Sequence, residues 1–320
     1  MSAVLFNGCA RRVVDPDFLI AQEVKQVGGP YWHFNGIEFV NPNTGILLTD
    51  ERYLYKTTDG GQTWSVIFTI PQGSISAFSF PHVDTLYVFT KPGSFADNDV
   101  QRSVDGGLTW STVSQVADVV LPAFYNGKTG FAMSAIVPSN QIRLIKTTTA
   151  GASWTNVGSY NANTFKLRFI TPLIGYTIDG QSQFLTSTDG GLNWANSGLR
   201  FRDIKKMNQD GSGYAYEYDR GLVKTTDYGA TWSLILAEST NGVTFSDFDI
   251  SGQTIVAIHD QNLIVSQDGG STWNTYLVET DLNSYSFRLY QVYITDSSHV
   301  LLYERTGSAS GDCLLLRVTL

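Results

Sequence analysis

Residues 56–64 read KTTDGGQTW, and close variants of this phrase return five more times along the 320-residue chain. They are RSVDGGLTW ending at Trp110, KTTTAGASW at Trp154, TSTDGGLNW at Trp194, KTTDYGATW at Trp232 and VSQDGGSTW at Trp273. Six of the seven tryptophans are therefore repeat residues, spaced by 46, 44, 40, 38 and 41 positions. A period in that range marks a propeller, solenoid or array. Apolar stretches flank each phrase, such as YLY and IRLI before it and SVIFTI and SLILA after it, so the phrase reads as a hairpin turn between two strands. Two more strand-like segments lie upstream in each unit, IEFV and TGILLTD in the first and TFKLRFI and LIGYTID in the fourth. Four strands in about 40 residues predict one blade of a β-propeller.

The residue types suit a self-satisfied turn. Ser or Thr, then Asp two positions later, accept hydrogen bonds from the turn's own amides, and the glycine two after Asp tolerates positive φ. The tryptophan then buries a large ring between neighbouring sheets, with one indole N–H to satisfy. Asp59, Asp105, Asp189, Asp227 and Asp268, with Trp64, Trp110, Trp154, Trp194, Trp232 and Trp273, are thus expected to do structural work. The third copy carries Thr149 at the Asp position, a change that a scaffold tolerates more readily than a catalytic centre.

Six phrases give six blades, and beyond Trp273 the segments SFRLYQVYI, HVLLYE and CLLLRVTL supply three strands of a seventh. Its missing outermost strand is expected from residues 18–27, FLIAQEVKQV, which pairs the two ends of the chain and removes open sheet edges. The expected fold is all-β: a seven-bladed propeller of four-stranded antiparallel blades over residues 18–320, preceded by a flexible tail at 1–17. A six-bladed ring with a C-terminal appendage is the alternative.

Composition agrees with many short strands: aromatics make up 13%, glycines number 30 and charged residues are only 16%. The net charge of −8 argues against general affinity for nucleic acid or an anionic membrane surface. No apolar run approaches the roughly 18 residues of a membrane-spanning helix. Leu5-Phe6-Asn7-Gly8-Cys9 matches the end of a bacterial lipoprotein signal, which predicts an extracytoplasmic protein with a lipid anchor at Cys9. A disordered tail with an incidental cysteine is the other reading, and a disulfide from Cys9 to Cys313 is open in an oxidising compartment.

The pattern [ST]-x-D-x-G-x-[TSN]-W, as in Thr57 to Trp64, resembles the Asp-box, or bacterial neuraminidase repeat, of sialidases, xyloglucanases, sortilin-type receptors and photosystem II stability/assembly factors. The phrase KTTDxGxTW with IEFVNPNTGILL most resembles the photosystem II stability/assembly factor family and its homologues in non-photosynthetic bacteria. That resemblance implies a non-catalytic, extracytoplasmic propeller that binds protein partners. The enzymes on this repeat keep their chemistry near the axis, which sets the test for a carbohydrate-active alternative, whether a sialidase-like or xyloglucanase-like glycosidase or a glycan-binding lectin. A sialidase needs an arginine trio, for which Arg168, Arg202 and Arg288 with Tyr290 are the candidates; the N-terminal Arg-Ile-Pro motif is absent. A glycosidase needs two facing carboxylates, from among Glu38, Asp97, Asp99, Asp203, Asp247 and Asp249. The four histidines, His33, His82, His259 and His299, lack metal-ligand spacing, and no cofactor or metal is expected. One departure from the acidic average stands out. Lys166, Arg168, Arg200, Arg202, Lys205 and Lys206 fall on the predicted inner strands of blades four and five, and with Arg288 they form a candidate basic patch for a protein partner. The neighbouring Phe165, Phe169 and Phe201 are expected to alternate into the blade core.

Overall fold

A computed structural model of the chain describes residues 18–23, 34–49, 52–93, 97–136, 141–160, 164–238, 245–259, 262–280, 287–296, 299–306 and 313–320. The tail at 1–17, with Cys9, and His33 lie outside them. Among the described residues every regular element is a β-strand, and no helix is long and apolar enough to cross a membrane. The first strand, β1, is Phe18–Glu23. The chain then divides into two compact units, one of residues 25–244 and one of residues 1–24 with 245–320.

The larger unit holds five four-stranded antiparallel blades in sequence. The first is β2 to β5 (Phe34–Phe39, Gly45–Thr49, Tyr53–Thr57, Ser65–Thr69). The second is β6 to β9 (Ser74–His82, Thr85–Lys91, Asn98–Ser103, Ser111–Val116), and the third is β10 to β13 (Val119–Phe124, Gly130–Ile136, Gln141–Thr147, Thr155–Tyr160). The fourth is β14 to β16 (Thr164–Phe169, Gly175–Asp179, Gln183–Ser187) with the first part of β17 (Ala195–Met207). The 13-residue β17 continues as the innermost strand of the fifth blade, beside β18 to β20 (Gly213–Glu217, Gly221–Thr225, Ser233–Ala237).

The smaller unit holds two blades. One is β21 to β24 (Asp247–Ser251, Thr254–His259, Asn262–Ser266, Asn274–Thr280). The other is β25 to β27 (Phe287–Asp296, His299–Thr306, Cys313–Thr319), completed by β1, which runs antiparallel to β27 through Ala21↔Val318 and Gln22↔Arg317. The N-terminal strand thus supplies the fourth strand of the C-terminal blade, as expected from the outermost strand that this blade lacks. It also runs parallel to β24, so the outermost strands of both blades in this unit share one hydrogen-bonded sheet and neither is left open.

Within each unit, neighbouring blades bury their faces against one another. Ile46, Leu48 and Leu54 meet Ile75, Phe80, Leu86 and Val88, and Phe184 meets Phe201, Ile204 and Val223. In the smaller unit Val256, Ile258 and Leu263 pack with Val292, Val300 and Leu302.

The repeated phrase closes on itself. Asp59 accepts from the Thr63 amide (2.9 Å) and the Thr63 hydroxyl (2.5 Å), and the Thr57 hydroxyl donates to Asp59 while accepting from the Gly61 amide. Trp64 Nε1 donates to the Gly61 carbonyl at 3.1 Å. The same set recurs around Asp105, Asp189, Asp227 and Asp268. Thr149 stands in with its hydroxyl, accepting from the Ser153 amide at 2.9 Å. The second glycine is required for two reasons: at Gly191 φ is +88°, and a Cβ would fall 2.3 Å from Leu144 Cδ2 of the preceding blade. The position before it is equally left-handed but admits Ala150 and Tyr228. The first letter of the phrase also has a task. Lys56 Nζ reaches the next blade, donating to the carbonyls of Gly106 (2.8 Å) and Val83 (3.2 Å).

Candidate functional site

The innermost strands of the larger unit share a departure from regular pairing. In β2, β6, β10, β14 and β17, two residues oppose one on the neighbouring strand, leaving Asn35, Ser76, Val120, Phe165 and Arg202 as the extra residue of a bulge. A bulge bends the strand and re-aims the extra side chain. Ser76, Val120 and Arg202 all line one open cavity of about 650 Å³. One arc of its wall is apolar or hydroxylic, with Ala77, Phe78, Leu121 and Pro122; the other is cationic, with Lys166, Arg168 and Arg202 beside Asp203.

Within the cationic arc the charges have distinct surroundings. Lys166 donates to Asp203 across adjacent inner strands, and Lys205 lies 3.7 Å from the same carboxylate. Burial pushes the Lys166 ammonium down, with Asp203 pulling it back. Burial raises Asp203, yet Lys166 and Lys205 together hold it below the usual carboxylate range. Arg168 is exposed, and its guanidinium acts on Glu38, whose carboxyl is raised by burial and partly restored by that positive charge. The same burial raises the Tyr176 phenol. Arg200 and Arg202 are exposed and stack on tyrosines of β18 and the turn after it. Arg200 lies 5.1 Å from the Tyr218 ring centre; Arg202 lies 4.8 Å from Tyr218 and 5.2 Å from Tyr216. Lys206 is exposed.

The larger unit therefore brings Lys166, Arg168, Arg202 and Asp203 to one cavity, with Arg200 joining Arg202 on Tyr218. The side chains of Arg288, Tyr290 and Phe165 lie outside the described residues, while Phe169 and Phe201 are buried in the core as expected. Of the candidate glycosidase carboxylates, Glu38 and Asp203 both lie around Arg168, in the surroundings described above. Asp97 is exposed ahead of β8, Asp99 accepts from Gln115, and Asp247 and Asp249 accept the backbone N–H groups of Val292 and Ile294. His82 approaches Asp84, His259 packs near Phe245, and His299 meets Asp296. Among the described residues no three His, Cys, Asp or Glu side chains are grouped to hold a metal ion. The bulges were hidden from the sequence because the extra residue differs in every blade.

Solved structures place this architecture. The fold is that of a β-propeller. A YCF48 structure with a bound D1 peptide superposes with a TM-score of 0.66 at 15% identity, covering 96% of this chain and 98% of that one. YCF48 from Cyanidioschyzon merolae gives 0.64 at 18% identity, covering 93% and 98%. The GH74 xyloglucanase from Xanthomonas campestris gives 0.62 at 16% identity, where 93% of this chain spans about half, 55%, of the enzyme. No protein-family model matches the chain, and no curated protein matches it by sequence.

Proposed function

We propose that this chain is a non-catalytic binding propeller that holds a segment of a protein partner at the cavity bounded by Arg168 and Arg202. The observation that carries this reading is the two-sided wall. Exposed guanidiniums face an apolar arc of Ala77, Phe78, Leu121 and Pro122, a combination that suits an acidic peptide with apolar neighbours. The YCF48 structure, a propeller of the same fold, holds a peptide, which supports a peptide here too. The lysines contribute by holding Asp203 in place, so that it neutralises them and leaves the arginines to the ligand. A carbohydrate-active module is the second reading, favoured by likeness to GH74 propellers; release of reducing sugar from xyloglucan by the intact protein would establish it.

The reading extends to an assembly or scaffold role outside the cytoplasm, with the LFNGC stretch as its support; radiolabelled palmitate incorporation that is lost in Cys9→Ala tests the anchor. For the site, Arg168→Glu with Arg202→Glu is expected to abolish capture of partner proteins from an extract of the source organism, with the melting temperature unchanged. An unaltered set of captured proteins refutes the assignment.

A further inference from the structure

Arg200 and Arg202 sit at i and i+2 on β17, flanking the buried Phe201, and both guanidiniums come to rest on one phenol ring, that of Tyr218. Stacking uses the face of a guanidinium and leaves its five N–H donors free at the edge. Among the described residues, no hydrogen bond or ion pair occupies either group. Three carboxylates of this region are already engaged, Glu217 by Arg220 at 2.8 Å and Glu238 by the Tyr216 hydroxyl at 2.6 Å, while Asp203 is held by Lys166 and Lys205. Two ordered forks without an internal anion are thus displayed side by side.

We infer that Arg200 and Arg202, oriented by Tyr218, form a clamp for a phosphate monoester carried on an extended peptide. The inference rests on the proposed peptide-binding role of the cavity and specifies the anion it reads. A carboxylate has two oxygens and a single charge, which one bidentate guanidinium matches in geometry and in charge. Two forks on one ring call for a group with more acceptors, and a phosphoryl group offers three oxygens and nearly two charges. At i and i+2 on one strand the two arginines share a face, opposite to the buried Phe201, which is why both reach the same ring. The clamp is open and exposed, which fits a group displayed on a chain, and the apolar arc beside Arg202 takes the flanking residues.

The test uses the intact protein and fluorescein-labelled octapeptides of alternating Ala and Val whose central residue is Ser, Glu or phosphoserine, read by fluorescence anisotropy. The phosphoserine peptide is expected to bind on the order of tenfold more tightly than the Glu peptide. Arg200→Lys or Arg202→Lys, which keep the charge but lose the fork, should each erase that preference, and Tyr218→Leu should weaken it at unchanged fold by circular dichroism. Equal affinity for Glu and phosphoserine, or a preference that survives both lysine substitutions, overturns the clamp. Free O-phosphoserine competing at the peptide's own concentration overturns the assignment to a peptide. The two readings fail separately. Partner capture that is lost in Arg168→Glu/Arg202→Glu but indifferent to phosphatase treatment of the extract leaves the binding role standing and removes the clamp. Capture indifferent to the Glu substitutions removes the binding role itself.

Discussion

Asp203→Asn isolates the structural half of the basic cluster. The substitution keeps the shape of the side chain and removes the carboxylate that pairs with Lys166 and lies beside Lys205. Those side chains are 24% and 15% exposed, and Asp203 itself 28%. Removing one partner of a fully buried ion pair costs about 3–5 kcal/mol, whereas an exposed pair is worth about 0–1 kcal/mol. At roughly three-quarters buried, the expected loss is about 2–3 kcal/mol. The loss should shrink in Lys166→Met/Asp203→Asn, where an apolar chain replaces the stranded ammonium, giving a coupling of about 1 kcal/mol or more. It should also depend on pH with a definite sign. Burial already lowers Lys166, and without Asp203 it falls further, so the unfolded chain binds the extra proton and stability rises with pH toward the ordinary lysine value near 10.4. Thermal melts of the four proteins of the cycle at pH 7 and pH 9, followed by tryptophan fluorescence, provide the assay. A melting temperature for Asp203→Asn equal to that of the parent, or strictly additive single and double variants, would refute the claim that Asp203 neutralises the lysines and leaves the arginines free.

Three further outcomes test the scaffold. Asp59→Ala should destabilise by about 1–3 kcal/mol, because the Thr63 amide and hydroxyl lose their acceptor, while affinity at the cavity stays the same; lost binding at an unchanged melting temperature would contradict the structural role. The carboxyls of Asp105, Asp189, Asp227 and Asp268 are held at about 2, chiefly by the Thr or Asn hydrogen bonds within each turn. With folded values below the unfolded one near 3.9, their contribution is present above about pH 4 and is lost as pH falls toward 2, so a melting temperature that stays flat from pH 4 to 2.5 would refute it. Gly191→Ala meets both a φ of +88° and Leu144 at 2.3 Å and should cost about 3–5 kcal/mol, against about 1 kcal/mol for Gly198→Ala, where φ is +76° but no atom lies within 4 Å of the added Cβ. Equal melting temperatures for the two variants would show that the second glycine of the phrase serves the backbone alone.

What the sequence made legible, and what it hid, divides along one physical line. The phrase from Thr57 to Trp64 satisfies itself within eight residues, so its residue types had to be written into every copy, and its period counted the blades. The substitution of Thr149 for Asp is readable for the same reason: a hydroxyl accepts the Ser153 amide in place of a carboxylate. The closing strand was legible through arithmetic, since one missing strand at one end and one orphan strand at the other imply the pairing of β1 with β27. The cavity depends instead on register between strands. The pairing of Phe201 with Glu217 and of Asp203 with Tyr216 leaves Arg202 over, and nothing in FRDIKK announces it, because the extra residue of the other inner strands is Asn35, Ser76, Val120 or Phe165. A position whose geometry is fixed by the scaffold and whose identity is free is where a repeat protein can vary its surface without touching its fold. In β17 two charged residues are left over in this way, Arg202 and, at a second shift between Ile204 and Lys206, Lys205; Arg202 lines the cavity with Lys166 and Arg168. The proposed binding surface thus combines in-register residues, Lys166 and Arg168, with one charge from a position that the repeat does not constrain.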